Sequence, residues 1–134
     1  MSMDSRAERK EGFTIGELAR EFDVTLRALR FYQDKGLLHP RRRGQTRIYS
    51  RRDRARLKLI LMGKRVGFSL REIREVLDLY DLKDGQVTQL KVAEEKFRTQ
   101  LQKLEAQKAD IDLAITDLKR TYDVVAGMLK EREK

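Results

Sequence analysis

Cysteine is absent from all 134 residues, which excludes disulfide frameworks, thiolate metal sites, iron–sulfur clusters and cysteine catalysis. The one histidine, His39, and the one proline, Pro40, stand side by side. A single histidine makes neither a metal site nor a general-base constellation by itself, so His39 is expected in a turn. No apolar run approaches membrane-spanning length, and the start Met1-Ser2-Met3-Asp4 has no signal-peptide apolar segment; a cytoplasmic protein with no membrane partner is expected. A glycine-rich phosphate loop, a nucleophile elbow and a paired-histidine motif are also missing, so no enzymatic activity is expected. Asp78, Asp81 and Asp84 miss the calcium-loop spacing and its terminal Glu, and are read as a solvated hinge, with no metal and no evident cofactor. Two catalytic domains do not fit in so short a chain.

Positive charge is what the chain has in excess. Lys plus Arg number 31 against 22 Asp plus Glu, a net of +9 that points to a polyanionic partner. The excess is local. Up to Gly85 there are 21 basic and 13 acidic residues, a difference of +8; beyond it 10 and 9, a difference of +1. Between Arg27 and Arg65, 14 basic residues face only Asp34 and Asp53, and this stretch is the candidate phosphate-facing surface. A charge run alone more often marks a solvated face. The helical signals coinciding with it, set out below, favour the phosphate-facing reading.

Residues 1–12 are polar and patternless, a disordered tail. Thr14 with Glu17 forms a capping box, Phe13 and Leu18 supply a hydrophobic staple, and Ile15, Leu18, Ala19 and Phe22 share one face. Asp23-Val24 is a turn, Thr25 the next N-cap, and the second helix runs to about Lys35 before Gly36. Two short helices about a tight turn make a helix-turn-helix. Leu37 to Tyr49 reads as a β-hairpin, or wing, with a basic tip Arg41-Arg42-Arg43-Gly44. Ser50 with Asp53 caps a third helix to about Val66, with Leu57, Ile60 and Leu61 inward; Gly67-Phe68 ends it. Ser69 with Glu72 opens a fourth to about Leu79, burying Ile73, Val76 and Leu77. Domain limits follow at 13–80, with a hinge over 81–86 and a final segment 87–134.

That final segment follows a seven-residue repeat. Leu90, Phe97, Leu104, Ile111, Leu118 and Val125 form one set of seam positions, and Val87, Glu94, Leu101, Lys108, Ile115, Tyr122 and Leu129 the other, so eleven of thirteen are apolar. No proline and only Gly127 interrupt it. One helix of some forty residues, about 60 Å long, is predicted. Such a helix needs its seam covered, and with no central break to fold back on itself, pairing with a second chain is expected. Glu94 and Lys108 either fix the register or simply reach solvent.

The order of these elements resembles the MerR family of bacterial transcription regulators. Thr14-Ile15-Gly16-Glu17-Leu18-Ala19 is similar to the family's opening helix, and Ala28-Leu29-Arg30-Phe31-Tyr32 with Gly36-Leu37-Leu38 to its recognition helix. Arg47-x-Tyr49-x-x-x-Asp53 resembles its wing exit, and Gly67-Phe68-Ser69-Leu70-x-Glu72-Ile73 its helix junction. Leu57 to Leu61, Gly63 to Phe68 and Leu77 to Asp81 resemble the short, cysteine-free branch linked with branched-chain amino-acid and fatty-acid degradation genes. The expected fold is mostly α, a winged helix-turn-helix followed by a long antiparallel coiled-coil dimerisation helix.

In a helix-turn-helix the second helix enters the major groove N-terminus first, which makes Thr25 and Arg27 the base-reading candidates. The resemblance implies that Arg30 and Tyr32 hold phosphates, with Arg47 and Tyr49 doing so from the wing and Lys64 from the end of the third helix. Arg43 joins them from the basic wing. Phe31 stands where many family members have tyrosine; any hydroxyl-mediated DNA contact is lost there and its ring is expected to serve packing. Dimerisation is assigned to Leu90, Phe97, Leu101, Leu104, Ile111, Ile115, Leu118, Tyr122 and Val125.

The resemblance also implies a homodimer on double-stranded DNA at a pseudo-palindromic promoter site, deforming the duplex so that RNA polymerase can use it. Thiol sensing is excluded without cysteine, and no separate drug-binding domain is expected after Lys134, so an organic effector, of acyl-CoA type if the branch is right, is left. Two other readings compete. An architectural DNA-bending protein of excisionase-like winged-helix type would share the head but usually lacks so long a seam. A basic coiled-coil scaffold would show no sequence preference over random duplex.

Overall fold

Thr14, Ser50 and Ser69 each open a helix by the reciprocal bonding their spacing to an acidic residue predicts. Thr14 Oγ1 accepts from the Glu17 amide at 3.2 Å while Glu17 Oε1 accepts from the Thr14 amide at 3.0 Å. Asp53 and Ser50 repeat the pattern at 3.0 and 3.2 Å, and Ser69 with Glu72 at 3.0 and 3.2 Å. Amides that a helix start leaves without partners are thereby satisfied. The computed structural model describes residues 12–80 and 87–134; residues 1–11 of the tail expected over 1–12, and the hinge expected over 81–86, lie outside the described residues.

The chain divides into two units, Met1–Gln86 and Val87–Lys134. In the first, β1 (Gly12–Phe13) precedes α1 (Ile15–Phe22) and α2 (Leu26–Asp34); β2 (Arg41–Arg43) and β3 (Thr46–Ser50) form the wing; α3 (Arg51–Arg65) and α4 (Leu70–Tyr80) follow. The three strands are antiparallel in the order β1-β3-β2. Gly12, expected in the tail, is thus in the sheet, paired with Ser50 beside Phe13–Tyr49. Two residues carry no period, which is why β1 left no trace in the sequence pattern.

The wing also corrects the expected basic tip. Arg41, Arg42 and Arg43 are the first strand, facing Ile48, Arg47 and Thr46, and the turn is Gly44-Gln45. Gly44 takes φ 65°, at the first central position of a two-residue hairpin, where only glycine is comfortable.

Helix ends obey equally local rules. After α2, the Leu37 amide donates to Tyr32 O at 2.9 Å and the Gly36 amide to Gln33 O at 3.0 Å, with Gly36 at φ 75°. After α3, Phe68 donates to Gly63 O at 2.8 Å and Gly67 to Lys64 O at 3.2 Å, with Gly67 at φ 91°. Both are Schellman ends, and each sends its next apolar residue, Leu37 or Phe68, into the core. A Cβ at Gly63 would come within 2.7 Å of Ile73 Cγ1, so glycine there lets α3 and α4 approach closely.

The core gathers Leu18 of α1, Leu29 and Tyr32 of α2, Tyr49 of β3, Leu57 and Ile60 of α3, and Ile73 and Leu77 of α4. Leu61, expected inward, is only half-buried against this cluster. The second unit is one helix, α5 (Val87–Arg132), of 46 residues with none buried among them. Among the described residues no helix is long and apolar enough to cross a membrane.

Candidate nucleic-acid interface

Helix α2 begins at Thr25, whose Oγ1 accepts from the Ala28 amide at 3.0 Å. The cap occupies one lone pair, and Thr25 itself is exposed. Leu29 and Tyr32, three apart, face the core, so Arg27, Arg30 and Phe31 fall on the opposite, exposed stripe. Arg30 shares a hollow with Arg47 of the wing and Thr14 at the head of α1, so the structure brings a recognition-helix cation and a wing cation together. Arg43 stands exposed at the turn end of β2. Lys64, near the end of α3, is exposed and holds its Nζ 5.7 Å from the centre of the Tyr32 ring.

Two of the expected phosphate contacts turn inward. Tyr32 is 2% exposed and Tyr49 fully buried, so both rings belong to the core. Tyrosine satisfies an apolar interior and a polar surface alike, and the burial of a large ring decides between them. The Tyr49 hydroxyl donates to Gln33 Oε1 at 2.9 Å, and Arg47 Nη1 donates to the same oxygen at 3.1 Å. Tyr49 therefore braces the wing against α2, and Gln33 holds Arg47 beside it. Phe31, counted among the DNA-facing residues with its ring expected to pack, does pack and is also open to solvent. It is 42% exposed, edge-on to Tyr32 at 5.8 Å with Lys35 Nζ 5.6 Å from its ring centre, and lies on the outward face.

Gln33, which no sequence signal singled out, is the joint on which this arrangement turns. Other ties hold the head around it. Arg54, from α3, forms a forked pair with Glu21 of α1, Nε lying 3.0 and 2.8 Å from the two carboxylate oxygens, with the Phe13 and Phe22 rings 5.9 and 5.7 Å away. His39, expected in a turn, lies in the irregular stretch just before β2, where its amide donates to Asp53 Oδ1 at 2.9 Å.

Burial raises the Tyr49 pKa above its ordinary 10.0, the nearby Arg47 charge opposing this in part. The folded state thus holds the Tyr49 proton more tightly than the unfolded chain. Its contribution is intact below about pH 10 and lost as pH rises through the folded pKa. Tyr49→Phe should make stability less sensitive to pH in that alkaline range, at a cost of about 1 kcal/mol near neutrality for the lost hydrogen bond. Urea unfolding from pH 8 to 11.5 checks both; parallel profiles for the two proteins would place the titration elsewhere.

A winged helix-turn-helix with an outward basic stripe defines a DNA-binding protein. Residues 13–79 match the model of the MerR HTH family regulatory protein and residues 54–121 that of the MerR DNA-binding region. The HTH-type transcriptional regulator ZntR of Escherichia coli K12 is 31% identical over 117 residues, 86% of this chain and 82% of its own. A mercuric resistance operon regulatory protein of Shigella flexneri is 42% identical over 73 residues, 53% of this chain, so the chain spans about half the length of that relative, 51%. A solved MerR-family transcriptional regulator from Bacillus cereus superposes with a TM-score of 0.64 at 29% identity, covering 81% of this chain and 78% of that one. The chain belongs to the MerR family: it is a DNA-binding transcription regulator, and its relatives are regulators rather than enzymes.

Proposed function

We propose that two copies of this chain pair through α5, in antiparallel fashion, and present one helix-turn-helix at each end to a pseudo-palindromic promoter site in the bacterial cytoplasm. The observation that carries this is the uncovered apolar seam. Leu118 is 70% exposed, Tyr122 68% and Ile111 58% on a helix that buries nothing by itself. A helix of 46 residues, about 69 Å at 1.5 Å per residue, draws its stability from a covered apolar stripe, and a second copy offers a matching seven-residue repeat. Leu90, Phe97, Leu101, Leu104, Ile115 and Val125 complete that seam. Glu94 pairs with Arg98 at 3.3 Å along the same helix.

At each head Thr25 and Arg27 meet base edges, with Phe31 on the same stripe, while Arg30, Arg43, Arg47 and Lys64 hold phosphates. An organic effector shifts the dimer between states that differ in how far they deform the duplex, at about 1–10 kcal/mol of elastic cost, and RNA polymerase reads the result. Without cysteine, thiolate sensing has no ligand in this chain.

Arg27→Ala tests the base contact. One base pair of the site should lose about 1–3 kcal/mol of discrimination while other positions keep theirs. Uniform weakening across site variants would make Arg27 a phosphate contact. Four phosphate contacts in each of two heads predict that log K falls against log salt with a slope of about −7. Filter binding between 50 and 300 mM KCl gives that slope, and a value of about −3.6 would fit a single head.

A further inference from the structure

Helix α2 departs from the other helices of the head at its first turn. Where α1, α3 and α4 place an acidic residue three positions after the cap, Glu17, Asp53 and Glu72, helix α2 has Ala28, and no acid stands anywhere in that turn. A carboxylate there would suit the helix dipole and complete a capping box, so its omission costs stability. It would also repel phosphate and base oxygens wherever this end of the helix approaches a duplex. The turn carries Leu26 and Arg27 instead.

Leu26 is the second departure. Its spacing from Leu29 and Tyr32 assigns it to the core stripe, yet it is 41% exposed and belongs neither to the core nor to the apolar residues packed against it. Helical side chains lean toward the N-terminus, so the first residue of a helix reaches past the core it would otherwise join. Among the described residues of the N-terminal unit, the other large apolar side chain so exposed is Phe31, whose ring is engaged by Tyr32 and Lys35. Leu26 stands between Thr25 and Arg27, both exposed, at the end proposed to meet base edges.

We infer that Leu26 is a specificity-determining residue that packs on the 5-methyl group of a thymine in the major groove, so that each half-site has one position where thymine is selected by apolar contact. The thymine methyl is the apolar group that base edges present in that groove, and an exposed leucine gains by covering it. Arg27 beside it supplies hydrogen bonds to a neighbouring pair, a chemistry that cannot tell thymine from uracil. The inference rests on the proposed entry of α2 into the groove and adds a named base group to it.

The test uses duplexes that the full chain selects from a random pool, with each thymine then replaced singly by deoxyuridine, which removes the methyl and keeps every hydrogen-bonding group. One thymine per half-site should show binding weakened about fourfold, the worth of one buried apolar carbon, and about fifteenfold when both half-sites carry uracil. In Leu26→Ala the same exchange should cost nothing, while mismatched bases at other positions keep their penalties. Leu26→Met, which retains an apolar chain of similar volume, should keep the sensitivity to uracil. Both variants replace an exposed side chain and should melt with the parent. A uracil penalty that persists in Leu26→Ala overturns the inference, as does a selected site in which no thymine responds to the exchange; groove reading by Arg27 survives either result. Equal weakening at every position in Leu26→Ala also overturns it, because the side chain then only supports the helix. A chain that selects no sequence from the pool overturns this inference together with the reading of base edges.

Discussion

Leu104→Asp combined with Ile111→Asp is expected to leave monomers that no longer protect a symmetric site. Each chain loses two seam contacts, so a dimer loses four, at about 1.5–3 kcal/mol apiece for burial alone. The sum, about 6–12 kcal/mol, weakens pairing by a factor of about 10⁴ or more, before the cost of four carboxylates in the seam. Ile111 is 58% exposed in the single chain, so the changes remove nothing that folds the N-terminal unit. Sedimentation equilibrium should therefore show one species of about 15.8 kDa, with the head still melting cooperatively. A dimer that survives both substitutions would mean that another surface joins the chains.

Glu21→Ala carries the largest expected effect on the head itself. Its carboxylate is the forked partner of Arg54, whose side chain is 6% exposed. Removing it leaves a guanidinium between two aromatic rings without that anion, at about 3 kcal/mol, the lower end for a broken buried pair because Glu21 is partly open to solvent. Replacing both partners, Glu21→Leu with Arg54→Met, should recover most of the loss, since apolar residues of similar volume then fill the site. Urea denaturation of the two single variants and the double measures the coupling. Additive losses would show that Arg54 stabilises the head chiefly by its packing on Phe13 and Phe22.

The difference between these substitutions mirrors what the chain discloses before it is folded. The three capping boxes, the glycine ends at Gly36 and Gly67 and the apolar stripe of α5 are contacts within three to seven residues, and they were legible because each is written in one short window. The helix-turn-helix and the wing followed from the same local signals, and the family motifs agreed with them. What stayed hidden spans distance. Glu21 meets Arg54 across 33 residues, Gln33 meets Tyr49 across 16, and β1 adds to β3 at the far edge of the wing. In the candidate site the same division holds. Thr25 and Arg27 follow from their place at the start of the second helix, whereas Arg30, Tyr32 and Tyr49 were placed at phosphates by the family resemblance, and a phenol suits either environment until packing assigns one. Arg41 to Arg43 read as a tip because three arginines give no alternation of polarity, and only the position of Gly44 in the turn makes them a strand.

Pairing of two heads at a fixed separation is the claim from which site symmetry, salt dependence and regulation all follow. Hydroxyl-radical footprinting of the full chain on duplex containing its promoter site tests it most directly. Two protected patches related by a dyad and centred about 34 Å apart, or a whole multiple of that, are predicted, with two chains per duplex. One asymmetric patch bound by a single chain would contradict it.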